Sequence, residues 1–328
     1  MAPDQPTRAG YVRVRFGGRL KLLGVFVKIR DFYDKGPPVL SLEVFPPKRD
    51  AALSGVYDTI SRLRGLSPSF VSVTYGAGGG TRRKTVEIAS EVRRRWGIES
   101  LAHLTCACHS RGDIAATLDD VLEAGVENIL ALRGDVPEGI SASSAFRDYR
   151  YASELVEEAR SRADFGVAAA CYPEGHVECA RIADDLDNLK RKVDSGVDFL
   201  ITQLFFDNRI YLDFVERARG RGIDVPIVPG VMPLSSPRQI RRIVYMCGVS
   251  IPAEVLRMLD RWGDDAAGLQ RAGTEYAVSQ VRGLLDEGAP GLHLYTMNRH
   301  RQATEILEGV GTHRFLGCGR PALTEVGV

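Results

Sequence analysis

A glutamate inside an apolar run is the first residue whose chemistry stands out. Glu43 lies between Leu42 and Val44, and Pro46 and Pro47 end any strand that contains it. Apolar surroundings partly desolvate a carboxyl group, which favours its protonated form and suits it to donate a proton near neutral pH. The alternative is a structural glutamate paired with a lysine or arginine, and the pattern leaves both interpretations open.

The apolar run that ends at Leu132 is followed by a basic residue, a glycine and an acidic residue. These are Arg133, Gly134 and Asp135. Backbone amides in such a loop can hold a polar planar ring while the arginine meets a phosphate. The alternative is an internal ion pair between Arg133 and Asp135, which the sequence alone favours.

Two further segments carry weaker signals. A glycine-rich segment, 76–80, follows Thr74 and Tyr75 and could hold an anion at a helix start, although a plain tight loop is favoured. In the segment 103–109, the cysteine spacing and the strand alternation do not fit a metal site, so none is predicted. His103 is instead expected to provide hydrogen bonds.

The helix predicted at 177–196, after the fifth apolar run, carries a polar face. Asp185, Asn188 and Lys192 have the spacing i, i+3, i+7 and adjoin Arg191. Two cations and an amide suit a ribose-phosphate chain, whereas a solvated helix face is the usual alternative. The next apolar run contains Gln203, whose amide needs partners that a ligand with ring nitrogens or a carbonyl would supply.

Eight short apolar runs, each followed by a segment with helical periodicity, must position these residues. They start 27 to 38 residues apart, except for a gap of 65 residues before the last, and span residues 39–45, 70–75, 101–106, 128–132, 166–172, 199–206, 227–232 and 292–297. The alternation predicts an α/β protein with one (β/α)8 TIM barrel, whose chemistry lies at the loops after the strands. The predicted domains are a basic, flexible N-terminal extension at 1–30, a catalytic barrel at 31–315 and a C-terminal tail at 316–328.

The composition excludes several classes of protein. The 328 residues contain 43 basic and 42 acidic side chains, a net charge of +1, so no field of one sign attracts nucleic acid or a membrane surface. No stretch of sequence approaches the roughly 20 apolar residues that span a bilayer. Six cysteines are too few for a disulfide scaffold in a chain of this length, which favours a cytoplasmic location.

Eight motifs, in order along residues 28–312, closely resemble those of the methylenetetrahydrofolate reductase family. They are EVFPPK (43–48), VTYGA (73–77), HLTC (103–106), ALRGD (131–135), YPEGH (172–176), DNLKRK (187–192), TQLFFD (202–207) and LYTMNR (294–299). The resemblance implies an FAD-containing barrel that reduces 5,10-methylenetetrahydrofolate to 5-methyltetrahydrofolate for one-carbon metabolism and methionine supply. It also implies a ping-pong sequence, in which NADH or NADPH reduces the flavin and leaves before folate enters the same pocket.

The resemblance further implies roles for individual residues. Glu43 matches the acid that assists opening of the folate's imidazolidine ring, and Asp135 matches a residue that contacts the pterin near the flavin. The expected FAD contacts are Thr74, Tyr75, Ala77, His103, Arg133, Gly134, Asp135, Tyr151, Ala170, Tyr172, His176, Asp185, Asn188, Arg191 and Lys192. The expected substrate contacts are Gln203, Gln239, Tyr295 and Arg299.

Two other functions stay open beside this one. A flavin-bearing subunit that takes electrons from an accessory electron-transfer partner would carry the same barrel. A pterin-binding methyltransferase barrel would bind folate and need no flavin. In each case the expected ligand is a small molecule, and we expect the chain to form a homo-oligomer.

Overall fold

The computed structural model describes residues 11–16, 19–24, 27–34, 36–47, 53–75 and 82–315. It begins with an antiparallel hairpin of strands β1 (Tyr11–Phe16) and β2 (Arg19–Gly24), which lies inside the segment predicted as a flexible extension. A 3-10 turn, Ile29–Phe32, follows and buries Ile29 and Phe32. Packing against the barrel therefore begins slightly before the predicted domain boundary at residue 31.

The other strands in the described part of the chain are parallel and form one sheet. They are β3 (Val39–Val44), β4 (Phe70–Val73), β5 (Glu99–Thr105), β6 (Asn128–Leu132), β7 (Gly166–Cys171), β8 (Phe199–Thr202), β9 (Ile227–Val228), β10 (Gly230–Val231) and β11 (Gly291–Tyr295). Their order in the sheet is β10-β11-β3-β4-β5-β6-β7-β8-β9. Since β9 and β10 are consecutive pieces of one strand, the predicted (β/α)8 barrel is confirmed.

Pro229 divides the seventh strand of the barrel into β9 and β10. Proline has no N–H to donate to a neighbouring strand. Its carbonyl still accepts a hydrogen bond of 3.0 Å from the His293 amide, and the Gly230 amide donates to Thr202 Oγ1 at 2.8 Å. β9 pairs with β8 and β10 pairs with β11, so the divided strand completes the ring.

Helices surround the strands. They are α1 (Leu53–Leu63), α2 (Arg82–Trp96), α3 (Arg111–Glu123), α4 (Ala142–Ala145), α5 (Ala152–Arg162), α6 (Ile182–Asp194), α7 (Asn208–Arg219), α8 (Pro237–Cys247), α9 (Ala253–Trp262), α10 (Ala266–Asp286) and α11 (His300–Val310). In the described residues, no helix is long and apolar enough to cross a bilayer.

Two elements beside the cavity are shorter than the sequence predicts by four or more residues. Helix α6 begins at Ile182 rather than at residue 177, because turns close the preceding loop through bonds from Gly175 N to Tyr172 O and from Cys179 N to His176 O. The strand predicted at 199–206 ends at Thr202. There the Gln203 side chain accepts a hydrogen bond from the Leu204 amide, which replaces a bond to a neighbouring strand.

Alternate side chains of each strand face the barrel interior. One end of the interior is an apolar layer that includes Val39, Phe70, Leu101 and Phe199, and the turn at Ile29 and Phe32 packs against it. The intervening strand residues pack against the helices, as Leu40, Leu42, Val71 and Val73 do. Ser41 and Glu43 follow Val39 on the interior face, so the interior becomes polar toward the carboxyl ends of the strands.

Candidate active site

A cavity of about 310 Å³ opens at the carboxyl ends of the strands. Its walls come from strand ends and the loops after them, where barrel enzymes place their chemistry. The lining residues are Glu43, Tyr75, His103, Thr105, Ala107, Leu130, Leu132, Arg133, Gly134, Asp135, Ala170, Tyr172, His176, Ile201, Thr202, Gln203, His293 and Tyr295. Eleven of the residues that the sequence predicts for the site are among them.

Glu43 lies on the floor of this cavity with a side chain that is about 6% exposed. Its Oε2 atom is 3.3 Å from His293 Nε2 and 3.6 Å from His103 Nε2. Among the described residues, these histidines are the basic side chains within 4 Å of the Glu43 carboxyl group, and neither is the lysine or arginine of the structural alternative. Thr296 Oγ1 donates to the Glu43 carbonyl, which fixes the backbone at the strand end.

Each of the two histidines has a serine partner on a neighbouring strand. His293 Nδ1 is 2.8 Å from Ser41 Oγ, and His103 Nε2 is 2.6 Å from Ser72 Oγ. Burial lowers the pKa of His103 to about 4, so its ring is neutral at neutral pH. The floor of the cavity is therefore a hydrogen-bonded set of one carboxyl group, two imidazoles and two hydroxyls.

The loop after β6 differs from the sequence expectation. Arg133 forms a bidentate ion pair with Glu178, and both nitrogen–oxygen distances are 2.7 Å. This pair replaces the one with Asp135 that the sequence favours. The guanidinium also lies 4.6 Å from the centre of the Phe146 ring. Asp135 is left exposed at the cavity edge, because Gly134 turns the backbone with a φ of +85°.

Several predicted residues lie close together at the rim of the cavity near β7. Tyr172 and His176 meet edge to face with ring centres 4.7 Å apart, and the His176 amide donates to Asp185 Oδ2 at 3.1 Å. Lys192 Nζ donates to the Ala170 carbonyl at 2.6 Å. Desolvation lowers the pKa of Lys192, and desolvation likewise lowers that of His176. Asp185 and Lys192 thus support the lining from behind.

The ends of β8 and β11 hold two predicted substrate contacts. Tyr295 donates its hydroxyl proton to the Thr202 carbonyl at 2.8 Å, and burial raises its pKa. The backbone N–H of Gln203 donates to the Cys171 carbonyl at 2.7 Å. Both residues line the cavity, as the sequence predicts.

Several predicted residues do not line the cavity. Tyr151 precedes α5 and is exposed, and the Arg191 side chain contacts Asn188 on the surface of α6. The Gln239 side chain accepts bonds from Ser235 N and Oγ at the start of α8. The other residues outside the lining are Thr74, which bonds to Val44 and Thr85, and Arg299, which precedes α11. Ala77 lies outside the described residues.

His293, Ser41 and Ser72 are site residues that the sequence interpretation missed. His293 is fully buried in a strand and looks like a core residue in an apolar run. The sequence did contain a signal for two of them. His293 lies two residues before Tyr295, and Ser41 lies two residues before Glu43. Residues at this spacing share one face of a strand, so each lies on the same face as a predicted site residue.

Comparison with protein families gives a match over most of the chain. A family model described as methylenetetrahydrofolate reductase matches residues 28–311. The 5,10-methylenetetrahydrofolate reductase of Escherichia coli is 39% identical over 272 residues, which cover 83% of this chain and 90% of that protein. Methylenetetrahydrofolate reductase (NADH) 1 of Arabidopsis thaliana is 36% identical over 299 residues, covering 87% of this chain and 50% of that protein.

A solved structure is also similar in fold. It is an uncharacterized protein from Clostridium thermocellum described as binding two copies of 5-methyl-5,6,7,8-tetrahydrofolic acid. The TM-score is 0.61 at 12% identity, and the match covers 88% of this chain and 99% of that one. At this identity the similarity concerns the barrel fold alone.

Proposed function

The chain belongs to the methylenetetrahydrofolate reductase family, and from this premise we propose that it reduces 5,10-methylenetetrahydrofolate to 5-methyltetrahydrofolate. FAD would be its bound cofactor and NADH or NADPH its hydride donor. The observation that carries the proposal is the buried carboxyl group of Glu43 on the cavity floor, between two histidines. The reaction would serve one-carbon metabolism and methionine supply.

The residues around the cavity suit FAD. Tyr75, His103, Arg133, Gly134, Asp135, Ala170, Tyr172 and His176 all line it. Gly134 presents bare backbone to the cavity, which allows a planar ring to lie close. At about 310 Å³ the cavity is near the lower end of the ~300–1,000 Å³ of small-molecule sites, so it suits a ring system better than a whole dinucleotide.

The chain supplies polar groups for the rest of the cofactor on α6 and the loop before it. His176 lies at the cavity rim, Lys192 supports the wall from behind through its bond to the Ala170 carbonyl, and Asn188 and Arg191 lie on the same helix as Lys192. We assign these residues to the ribityl chain and phosphates. Bound FAD would supply a carrier that takes hydride from the nicotinamide and passes it to the folate.

Glu43 is the proton donor in the proposed folate step. As the five-membered ring of the folate opens, the carbon–nitrogen electron pair stays on the departing nitrogen, and the Glu43 carboxyl group protonates that nitrogen. The lone pair of the other ring nitrogen forms a double bond to the carbon, and the resulting iminium carbon then accepts hydride. Asp135 at the cavity edge places a negative charge where it can bind the pterin and favour that cation.

The size of the cavity supports a ping-pong order. A space of about 310 Å³ is near the lower end of the ~300–1,000 Å³ of small-molecule sites, which favours its use by the two substrates in turn. The name of the Arabidopsis relative includes NADH, which supports NADH as the donor.

An anaerobic absorption titration of the purified protein tests the proposal. The protein should show a flavin spectrum that NADH or NADPH bleaches and that methylenetetrahydrofolate restores. A flavin spectrum that neither nucleotide bleaches, but that folate perturbs, would indicate an accessory electron donor. Absence of flavin, even after FAD is added back, would overturn the flavin assignment and favour the methyltransferase alternative.

A further inference from the structure

Strands β3 and β11 separate just beyond Glu43. Their parallel register ends where Tyr295 lies opposite Glu43. The chain of β11 then turns away, because Met297 and Asn298 both have left-handed backbones, with φ of +51° and +56°. The paired part of these two strands therefore ends at the residue that carries the proposed acid.

Side chains from the loop after β11 continue the pairing beyond that point. Asn298 Oδ1 accepts a hydrogen bond of 2.9 Å from the backbone N–H of Phe45, and Asn298 Nδ2 donates one of 2.9 Å to the Phe45 carbonyl. Thr296 Oγ1 donates to the Glu43 carbonyl at 2.5 Å and accepts from the backbone N–H of Asn298 at 3.2 Å. The carboxamide of Asn298 thus takes the place of the N–H and C=O groups of a neighbouring strand.

Asparagine suits this position for two reasons. A left-handed backbone is unfavourable for most residues that have a Cβ atom, and asparagine adopts it more readily than most. Its carboxamide also carries a donor and an acceptor, whereas an ionised aspartate only accepts and glycine has neither group. The two bonds to Phe45 fix which end of the carboxamide is oxygen, since a flipped group would set donor against donor and acceptor against acceptor.

The bridge from Asn298 to Phe45 holds β3 on the side that faces β11. On the other side, β4 holds β3 as far as Val44, whose carbonyl accepts a hydrogen bond of 3.1 Å from the Thr74 backbone N–H. Removal of the carboxamide would leave both backbone groups of Phe45 without these bonds, two residues beyond Glu43. The strand end could then shift, and a general acid misplaced by about 1 Å can lose on the order of 10²-fold in rate.

We propose that Asn298 is a positioning residue for the folate step, because its bridge to Phe45 holds the end of β3 so that the Glu43 carboxyl group reaches the departing nitrogen. The proposal rests on the proposed reductase function. Hydride transfer from the nicotinamide needs no proton from Glu43. Neither Asn298 nor Phe45 lines the cavity, so FAD binding and flavin reduction should not depend on the bridge.

Asn298→Gly removes the carboxamide and keeps a left-handed backbone, which glycine adopts freely. Reoxidation of the prereduced enzyme by methylenetetrahydrofolate, measured by anaerobic stopped flow, should fall by about tenfold or more. Flavin reduction by the nicotinamide and the dissociation constant of FAD should each stay within about twofold of the wild-type value. Asn298→Asp keeps the acceptor and loses the donor, so its folate rate should lie between those of the wild type and Asn298→Gly.

Met297→Gly is the matched control. Met297 is the neighbouring left-handed residue, its side chain is 41% exposed, and its replacement leaves the carboxamide of Asn298 in place. This variant should carry out both half-reactions as the wild type does. An equal loss of both half-reactions in Asn298→Gly, or an equal loss of the folate step in Met297→Gly and Asn298→Gly, would overturn the proposal.

Amide hydrogen exchange tests the bridge without turnover. Labelling with ¹⁵N-phenylalanine gives signals from the 12 phenylalanines, and Phe45→Leu identifies the signal of Phe45. The Phe45 N–H should be protected in the wild type and in Asn298→Asp, and should exchange at least about tenfold faster in Asn298→Gly. Equal exchange in the wild type and Asn298→Gly would overturn the inference, whatever the activity. Faster exchange in Asn298→Gly, combined with a wild-type protein that does not reduce methylenetetrahydrofolate, would instead contradict the proposed function.

Discussion

Lys192 on α6 donates a hydrogen bond of 2.6 Å from its ammonium group to the carbonyl of Ala170, at the end of β7. The contact brings a partly buried cation to the back of the cavity wall, beside Asp185, and burial lowers the pKa of the lysine. Lys190, two residues earlier, instead pairs with Asp194 at the surface, with contacts of 2.5 and 2.6 Å. The two lysines therefore form a matched pair for mutagenesis.

Lys192→Met should weaken FAD binding by about tenfold, because it removes a charge-assisted bond, of the kind that contributes roughly 1.5–3 kcal/mol, that holds the lining residue Ala170 in place. The apparent dissociation constant can be measured by fluorescence as FAD is added back to the apoprotein. Lys190→Met should bind FAD as the wild type does. Equal affinities in the two variants would remove Lys192 from the cofactor site.

Gly134 combines a left-handed backbone with close packing. Its φ is +85°, and a Cβ atom there would lie 3.0 Å from Thr105 Cβ and 3.2 Å from Ala107 Cβ. Gly139 has a similar φ of +82°, with no atom within 4 Å of such a Cβ. Alanine at either site has a backbone cost of roughly 1–2 kcal/mol.

Gly134→Ala should therefore lower the free energy of unfolding by about 1 kcal/mol more than Gly139→Ala does, because the added methyl group must displace Thr105. Urea denaturation of the two variants measures the difference. Equal losses would mean that the β6 loop shifts easily away from β5. The cavity wall would then be less rigid than its packing indicates.

His103 makes the stability depend on pH. Burial lowers its pKa from 6.5 to about 4, so between these values the unfolded chain binds a proton there that the folded chain does not. The contribution of neutral His103 to the free energy of unfolding is therefore fully present above about pH 6.5. It is lost as the pH falls toward 4, where the free energy of unfolding decreases by up to about 1.4 kcal/mol per pH unit.

Urea unfolding at several pH values checks this slope. The pH values run from 4 to 7.5, which is about one unit above the ordinary histidine pKa. His103→Gln should reduce the slope in that window. His313→Gln, at an exposed histidine, should leave it as in the wild type. A slope that is the same in all three proteins would show that other groups produce the acid sensitivity.

Much of the fold follows from local patterns in the sequence. The eight apolar runs predict the eight strand positions, because buried parallel strands are short and continuously apolar. The placement of Glu43, His103, Asp135 and Tyr172 around one cavity follows from the rule that strand ends meet at one face of a barrel.

Other features depend on distant partners and were not predictable. Arg133 pairs with Glu178, which lies 45 residues away, and a sequence window around the loop contains Asp135 as the nearer anion. His293 meets Glu43 across 250 residues, and only closure of the barrel brings them together. The Gln239 side chain bonds to Ser235 and to the Pro233 carbonyl within its own turn, an arrangement that depends on the local backbone conformation.

Glu43→Gln tests the central claim that a buried acid on the cavity floor serves the folate step. Glutamine keeps the shape of the side chain but cannot donate a carboxyl proton, and loss of a general acid typically lowers the rate by about 10²- to 10⁴-fold. Glu91→Gln is a matched control, because Glu91 is buried at 7% exposure on α2 and pairs with Arg94 and Arg95 away from the cavity.

The decisive measurement is anaerobic stopped-flow absorbance of both half-reactions in the wild type, Glu43→Gln and Glu91→Gln. Glu43→Gln should be reduced by the nicotinamide within about twofold of the wild-type rate and should lose reoxidation by methylenetetrahydrofolate by at least about 10²-fold. Glu91→Gln should resemble the wild type in both steps. Equal loss of both half-reactions in Glu43→Gln, or folate reoxidation at the wild-type rate, would contradict the role of Glu43 as the acid.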